Sequence, residues 1–210
     1  NNGSWFDIGW ICWFRRLCGD YLEFNPDYVY AVQGMGTEHL IQTQLPQLLS
    51  DSPDIVFTMI GTNDLSLEDY EYIVTRLEQF YDAVESAGIY AVALPILPRT
   101  SLTEGMKSVL DGVNRWLYNR SKNKGTMKFV NTISGMLDTS TGSIFSDYTA
   151  DGLHTNRLGA YALGQIVFDG VQDIAVIPNS PIVRTSLALL PTPKGTTVAP
   201  VRSRMAWSVY

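Results

Sequence analysis

Asp54-Ile55-Val56-Phe57-Thr58-Met59-Ile60, followed at once by Gly61-Thr62-Asn63-Asp64, decides the fold. The run is apolar without alternation, as in a strand buried on both faces, and such strands belong to parallel sheets covered by helices on either side. Working outward, Tyr28-Val29-Tyr30-Ala31-Val32 reads as an earlier strand, rich in β-branched and aromatic residues. Ile89-Tyr90-Ala91-Val92-Ala93-Leu94, stopped by Pro95 and Pro98, and Met127-Lys128-Phe129-Val130-Asn131 read as later ones. Helices are predicted between them. One spans Trp10 to Leu17, closed by Gly19. One runs from Glu38 to Leu49 behind a Thr37 cap, with Pro46 expected to kink or break it. One begins at Ser66 and reaches about Ser86. One covers about 103 to 122, with Met106, Val109, Leu110, Val113 and Leu117 on a single stripe. The last runs from Asn156 to about Val171. Strands alternating with helices of this length predict an α/β fold, a three-layer doubly wound parallel sheet. After Ile177 the texture changes: Pro178, Pro181, Pro191, Pro193 and Pro200 punctuate short runs. The reading is a domain over 1–178 and a C-terminal extension over 179–210, expected as edge strands or a packing arm.

Composition narrows the partners. The chain has 210 residues, 45% hydrophobic and 17% charged, with a formal net charge of -6. These are globular values, and the acidic balance argues against a nucleic-acid partner, for which a basic patch is expected. No apolar run reaches the length of a membrane span. Cys12 and Cys18 fall in one predicted helix on different sides of it, so two free buried thiols are expected. The compartment is not set by the sequence; an extracellular or virion-associated setting is favoured.

Ligands in open parallel sheets bind beyond the carboxyl ends of the strands. Gly61-Thr62-Asn63-Asp64 follows one strand and Gly34-Met35-Gly36-Thr37 follows another. Asp151-Gly152-Leu153-His154 immediately precedes the last helix and carries one of only two histidines. Three loops distant in sequence are thus expected at one edge. Their residue types suit acyl transfer. His154 would move a proton, Asp151 would orient its ring, and the Asn63 amide with backbone N–H groups of the glycine turn would hold an oxyanion. The other histidine, His39, lies inside a predicted helix beside Glu38. Tyr148 could line the pocket; Trp10 and Trp13, at helical spacing, read as core, while Trp5 could face a sugar.

These blocks carry a resemblance. Gly61-Thr62-Asn63-Asp64 resembles the Gly-x-Asn-Asp block of the SGNH (GDSL-like) hydrolase family, Asp151-Gly152-Leu153-His154 resembles its Asp-x-x-His block, and the Gly34/Gly36 turn resembles its glycine block. The likeness spans roughly residues 5–175 and implies a flavodoxin-like sheet and esterase or lipase-type hydrolysis. It makes His154 the base, Asp151 its partner, and Asn63 and Gly36 the oxyanion donors, with neither metal nor cofactor. The family's Gly-Asp-Ser block and the strand before it have no counterpart here. The nucleophile is expected either upstream of Asn1 or, in a divergent arrangement, at Ser4, and the first central strand from an upstream segment or a partner chain.

The leading expectation is therefore a serine esterase acting on a small ester or an acylated carbohydrate, with O-acetyl groups as the preferred leaving acyl. The alternative is a non-catalytic glycan- or receptor-binding module of a multichain particle, such as a phage tail or fibre, assembled through the C-terminal arm. A flavodoxin-like nucleotide binder is disfavoured, because no glycine-rich phosphate loop follows the first visible strand.

Overall fold

The computed structural model describes residues 9–19, 22–175, 183–184 and 202–207. In chain order the main elements are helix α1 (Trp10–Cys18), strand β1 (Glu23–Val29), helix α2 and strand β2 (Ile55–Met59). Helix α2 is built from Thr37–His39, a π-helical turn at Leu40–Gln44, and Leu45–Asp51. Then come helix α3 (Tyr70–Ser86), strand β3 (Tyr90–Ala93), helix α4 (Glu104–Asn123), strand β4 (Met127–Phe129) and a short helix α5 (Ile133–Met136). A small hairpin, β5 (Leu137–Asp138) and β6 (Ser143–Ile144), precedes helix α6 (Arg157–Val171). Strands β7 (Ile174–Ala175), β8 (Val183–Arg184) and β9 (Arg202–Trp207) complete the described chain.

The main sheet has five strands in the order β1-β9-β2-β3-β4, and every pairing in it is parallel. Its two faces can be read from β2. Ile55, Phe57 and Met59 join Trp10, Phe14, Leu163 and Val167 on one side, against α1 and α6. Val56 and Ile60 join Leu40, Leu48, Leu77, Phe80 and Val113 on the other, against α2, α3 and α4. A period-two strand with apolar residues at every position feeds two cores, which is why its sequence runs without alternation. Helices α1 and α6 cross closely at Gly164, where an added Cβ would lie 2.7 Å from the Trp10 carbonyl oxygen and 2.8 Å from Trp13 Cβ.

The expected layering is present, with local differences that have physical causes. Strand β1 starts earlier than the Tyr28–Val32 reading, at Glu23, and contains Pro26. It is an edge strand, where a missing N–H is tolerated, and its register shifts between Phe24 and Val29. Helix α2 absorbs Pro46 without stopping: the π-helical turn sits just ahead of the proline, where its absent N–H would otherwise leave a gap in the i to i-4 ladder. Helix α3 begins later than Ser66. Residues Asn63–Leu67 form a 3₁₀ turn, Glu68 is left-handed at φ 51°, and the Asp69 side chain caps the helix by accepting from Tyr72 N at 2.9 Å. Asp69 wins because its short carboxylate satisfies an orphan N–H of the first turn. Cys12 and Cys18 are free and buried, and burial pushes the Cys18 thiol up to about 12.

The C-terminal segment departs most from expectation. Strand β9 lies inside the sheet, not on its edge, with Ile55 opposite Ser203, Phe57 opposite Met205 and Met59 opposite Trp207 on one flank and Glu23 opposite Arg202 on the other. The position expected for a strand from upstream or from a partner is taken by this one. Ladder bonding uses only backbone groups, so any extended segment free of proline can fill a gap one strand wide. The prolines of the 179–210 stretch all precede Arg202, and those residues lie outside the described part of the chain. Met205 is paired on both sides, with Val29 of β1 and Phe57 of β2. Met205→Pro is therefore expected to break one bond and strand its acceptor, at a cost of about 2–4 kcal/mol. Differential scanning calorimetry should record a Tm lower by roughly 5–15 °C.

Candidate active site

The glycine turn and the Asn63–Asp64 turn leave the carboxyl ends of β1 and β2, and two hydrogen bonds tie them together. Asn63 Nδ2 donates to Met35 O at 2.9 Å, and Thr37 N donates to Asp64 Oδ2 at 2.8 Å. The approach is tight enough to require glycine at 36: an added Cβ would stand 2.0 Å from Asp64 Oδ1. Gly36 is also the N-cap of α2, with extended backbone at φ -106°. Asp64 is buried, and burial pushes its carboxyl up, while the Thr37 N–H and the nearby Arg76 act in the opposite direction. Asn63 is half-buried; one amide hydrogen is committed to Met35, and an amide carries two.

The second half of the site is a loop that closes on itself. Asp151 Oδ2 lies 2.5 Å from His154 Nδ1, and Asp151 Oδ1 accepts from His154 N at 2.7 Å and Leu153 N at 2.9 Å. The His154 side chain, followed by these backbone donors, holds the Asp151 carboxyl well below the ordinary carboxylate range. Thr149 Oγ1 accepts from Gly152 N at 2.9 Å and donates to His154 O at 2.7 Å. Asn156 then caps α6, accepting from Leu158 N and Gly159 N at 3.0 Å each and donating to Asp147 O at 2.8 Å. With Nδ1 facing a carboxylate, the neutral ring carries its proton there and presents Nε2 as the acceptor.

The loop following β3 joins the two halves. At one end Ile96 packs on Gly61, where an added Cβ would meet Ile96 Cδ1 at 2.9 Å. At the other, Thr100 N donates to Gly152 O at 2.9 Å. Asn114 from α4 fixes the span between, with its side-chain oxygen accepting from Ile96 N at 2.7 Å and its amide donating to Ile96 O at 2.9 Å. Asn63 and the Gly36 turn are thus in direct contact, Asp151 and His154 are in direct contact, and loop 94–100 touches Gly61, two residues before Asn63, at one end and Gly152, between Asp151 and His154, at the other. Asp64, Thr100 and Thr149 were not singled out from sequence. Asp64 had a signal, since it closes the Gly61-Thr62-Asn63-Asp64 block and an acid needs a partner once buried; the two threonines had none.

Tyr148 packs with Phe145, ring centroids 5.5 Å apart, and against the core shared by α1 and α6. Trp10 is buried core, and Trp13 meets Tyr161 edge-on at 5.2 Å. Trp5 and Ser4 lie outside the described residues. Among the described residues no group of three or more His, Cys, Asp or Glu side chains is placed to hold a metal ion, and no helix is long and apolar enough to cross a membrane.

Two measurements test this geometry. Asp64→Ala leaves the fully buried Thr37 N–H without its acceptor, so chemical unfolding should show a loss of about 1–3 kcal/mol, and Asp64→Asn, which keeps an acceptor oxygen, should lose less. For Asp151 the folded pKa is depressed, so the stability it contributes is present above the unfolded value of about 3.9 and is lost as pH falls through the folded one. The stability gap between the wild type and Asp151→Asn, followed by urea titration, should be full near neutrality, begin to narrow below about pH 4 and shrink steadily with further acidification.

Comparison with known proteins agrees with this architecture. The sequence pattern described as the GDSL-like Lipase/Acylhydrolase family matches residues 2–162. No curated protein sequence matches. Similar solved structures include a GDSL-like lipase from Bacteroides thetaiotaomicron, with TM-score 0.59 at 17% identity over 66% of this chain and 72% of that one. A variant of an acetyl-xylooligosaccharide esterase from Geobacillus Stearmophilus superimposes with TM-score 0.63 at 13% identity, over 78% of this chain and 81% of that one. A family 3 carbohydrate esterase from Clostridium thermocellum gives TM-score 0.51 at 21% identity, over 67% and 66% of the two chains. Such identities speak for the fold, whereas the sequence pattern covers most of the chain and includes the Gly36, Asn63 and Asp151–His154 loops; the chain belongs to the GDSL-like lipase/acylhydrolase family, SGNH-type ester hydrolases.

Proposed function

We propose that the chain is a serine esterase that removes short acyl groups, in particular O-acetyl groups, from a carbohydrate. The observation that carries the reading is the Asp151–His154 pair at 2.5 Å, held by a self-closed loop and joined through loop 94–100 to the Asn63 and Gly36 turns. A serine hydroxyl attacks the ester carbonyl while His154 Nε2 takes its proton. The carbonyl oxygen gains negative charge and is met by the second hydrogen of the Asn63 amide and by the Gly36 N–H; the Thr37 N–H is committed to Asp64. The C–O bond breaks, the alcohol leaves with the proton from His154, and the acyl group remains on the serine. Water then adds with His154 again as base, and the carboxylic acid departs. Asp151 stays ionised throughout and stabilises the imidazolium. The carbohydrate preference is supported by a carbohydrate esterase and an acetyl-xylooligosaccharide esterase among the fold's neighbours.

The test is hydrolysis of 4-nitrophenyl acetate and of an acetylated xylo-oligosaccharide by the full chain. His154→Ala should lower kcat/KM by about 10²–10⁴. Asn63→Ala should lower kcat by about 10²–10³ with KM little changed, because its bond forms only as the oxyanion does. Peptide mapping after labelling with a fluorophosphonate identifies the attacking serine. Turnover left intact by His154→Ala would refute the assignment.

A further inference from the structure

A cavity of about 670 Å³ is lined in part by the segment that follows β3 and leads into α4. Pro98 and Leu102 contribute to its wall, and between them in sequence stands Thr100, whose N–H is bonded to Gly152 O. The cavity is therefore one loop turn away from the catalytic pair, and its volume is that of a small-molecule site, about 300–1,000 Å³. Its lining combines two chemistries. Tyr118 of α4 and Phe129 of β4 meet edge-on, with centroids 5.7 Å apart and planes at 72°. Tyr118 is 44% exposed, so its ring is open to a ligand in the cavity. Lys122 Nζ lies 4.2 Å from the centre of the Tyr118 ring and helps fix its plane. On the rim, Lys107 and Asp111 project from adjacent turns of α4, one positive and one negative.

We infer that this cavity is a subsite for an uncharged sugar ring of the substrate's alcohol part, next to the ring that bears the ester. The inference rests on the esterase reading for its catalytic consequence, but not for the binding itself. A pyranose has an apolar C–H face and an equatorial belt of hydroxyls. The face stacks on the Tyr118 ring, and neighbouring hydroxyls donate to the Asp111 carboxylate and accept from the Lys107 ammonium. Lys107 is also bonded to Glu104 at 2.7 Å, which keeps it on the rim and partly neutralised. Charges of both signs select no anion or cation. An alkyl chain placed there would strip water from both charged groups without replacing its hydrogen bonds, a cost that sugar hydroxyls avoid. Asn114 lines the same wall, and its bonds to both Ile96 N and Ile96 O fix the backbone that shapes the cavity.

The experiment is titration of the full chain with unacetylated xylotriose, cellotriose and chitotriose, followed by NMR and calorimetry, so that binding is read without turnover. At least one trisaccharide should bind, with an affinity that falls about tenfold or more in Tyr118→Ala and in Asp111→Ala and is largely restored in Tyr118→Phe, which keeps the stacking face. In the acetylated trisaccharide assay the same alanine variants should lose about tenfold in kcat/KM while 4-nitrophenyl acetate turnover stays unchanged. No binding by any of the three, or binding indifferent to both variants, overturns the inference. So does loss confined to 4-nitrophenyl octanoate, which would make the cavity an acyl-chain pocket. If His154→Ala keeps full activity the esterase reading falls, yet the trisaccharide titrations still decide the subsite.

Discussion

Every backbone group along β2 must find a partner away from water, because both faces of that strand are packed under helices. One edge is satisfied by β3 and the other by β9. This requirement organises the rest. It sets the interstrand spacing, which places the loops after β1 and β2 on a common rim, and it lets two separate apolar clusters form from alternate residues of one strand. A buried N–H or C=O left unpaired costs about 1–3 kcal/mol, so a gap one strand wide in the middle of such a sheet is untenable, and the C-terminal segment occupies it.

On that rim, rigidity comes from polar side chains that spend their hydrogen bonds on neighbouring loops. Asp64 fastens the glycine turn, Asn114 fastens loop 94–100 through Ile96, and Thr149 closes the Asp151–His154 loop. Asp64 and Thr149 lie beside residues with a proposed chemical role, and Asn114 steadies the loop between them. The buried Asp64 carboxylate is costly, as the upward shift of its carboxyl shows, and it persists because it holds Thr37 while forcing residue 36 to be glycine. The opposite shift at Asp151 comes from the imidazole and the backbone N–H groups around it. Two carboxylates on one rim are thus pushed in opposite directions by burial on one side and hydrogen bonding on the other.

The cavity beyond loop 94–100 extends the same logic from chemistry to recognition. The loop that touches both Gly61 and Gly152 also forms one wall of the cavity, so a ligand seated against Tyr118 would press on the element that spans the two halves of the site. Binding energy gathered away from the ester could in this way be spent on orienting it.

Much of this was legible in the sequence, for reasons particular to each residue. The uninterrupted run from Ile55 to Ile60 signals a doubly buried strand, because only such a strand dispenses with alternation. Asp151 and His154 meet because three residues of turn bring them together whatever surrounds them. The Gly36, Asn63 and Asp151–His154 blocks carried a resemblance to the family whose pattern matches residues 2–162. What only the tertiary structure decided depends on contacts across long separations. Asp64 reaches Thr37 over 27 residues, and Thr100 reaches the Asp–His loop over 52. The location of β9 was decided there too, since backbone ladders are blind to side chains and no local pattern in Arg202–Trp207 distinguishes a central strand from an edge.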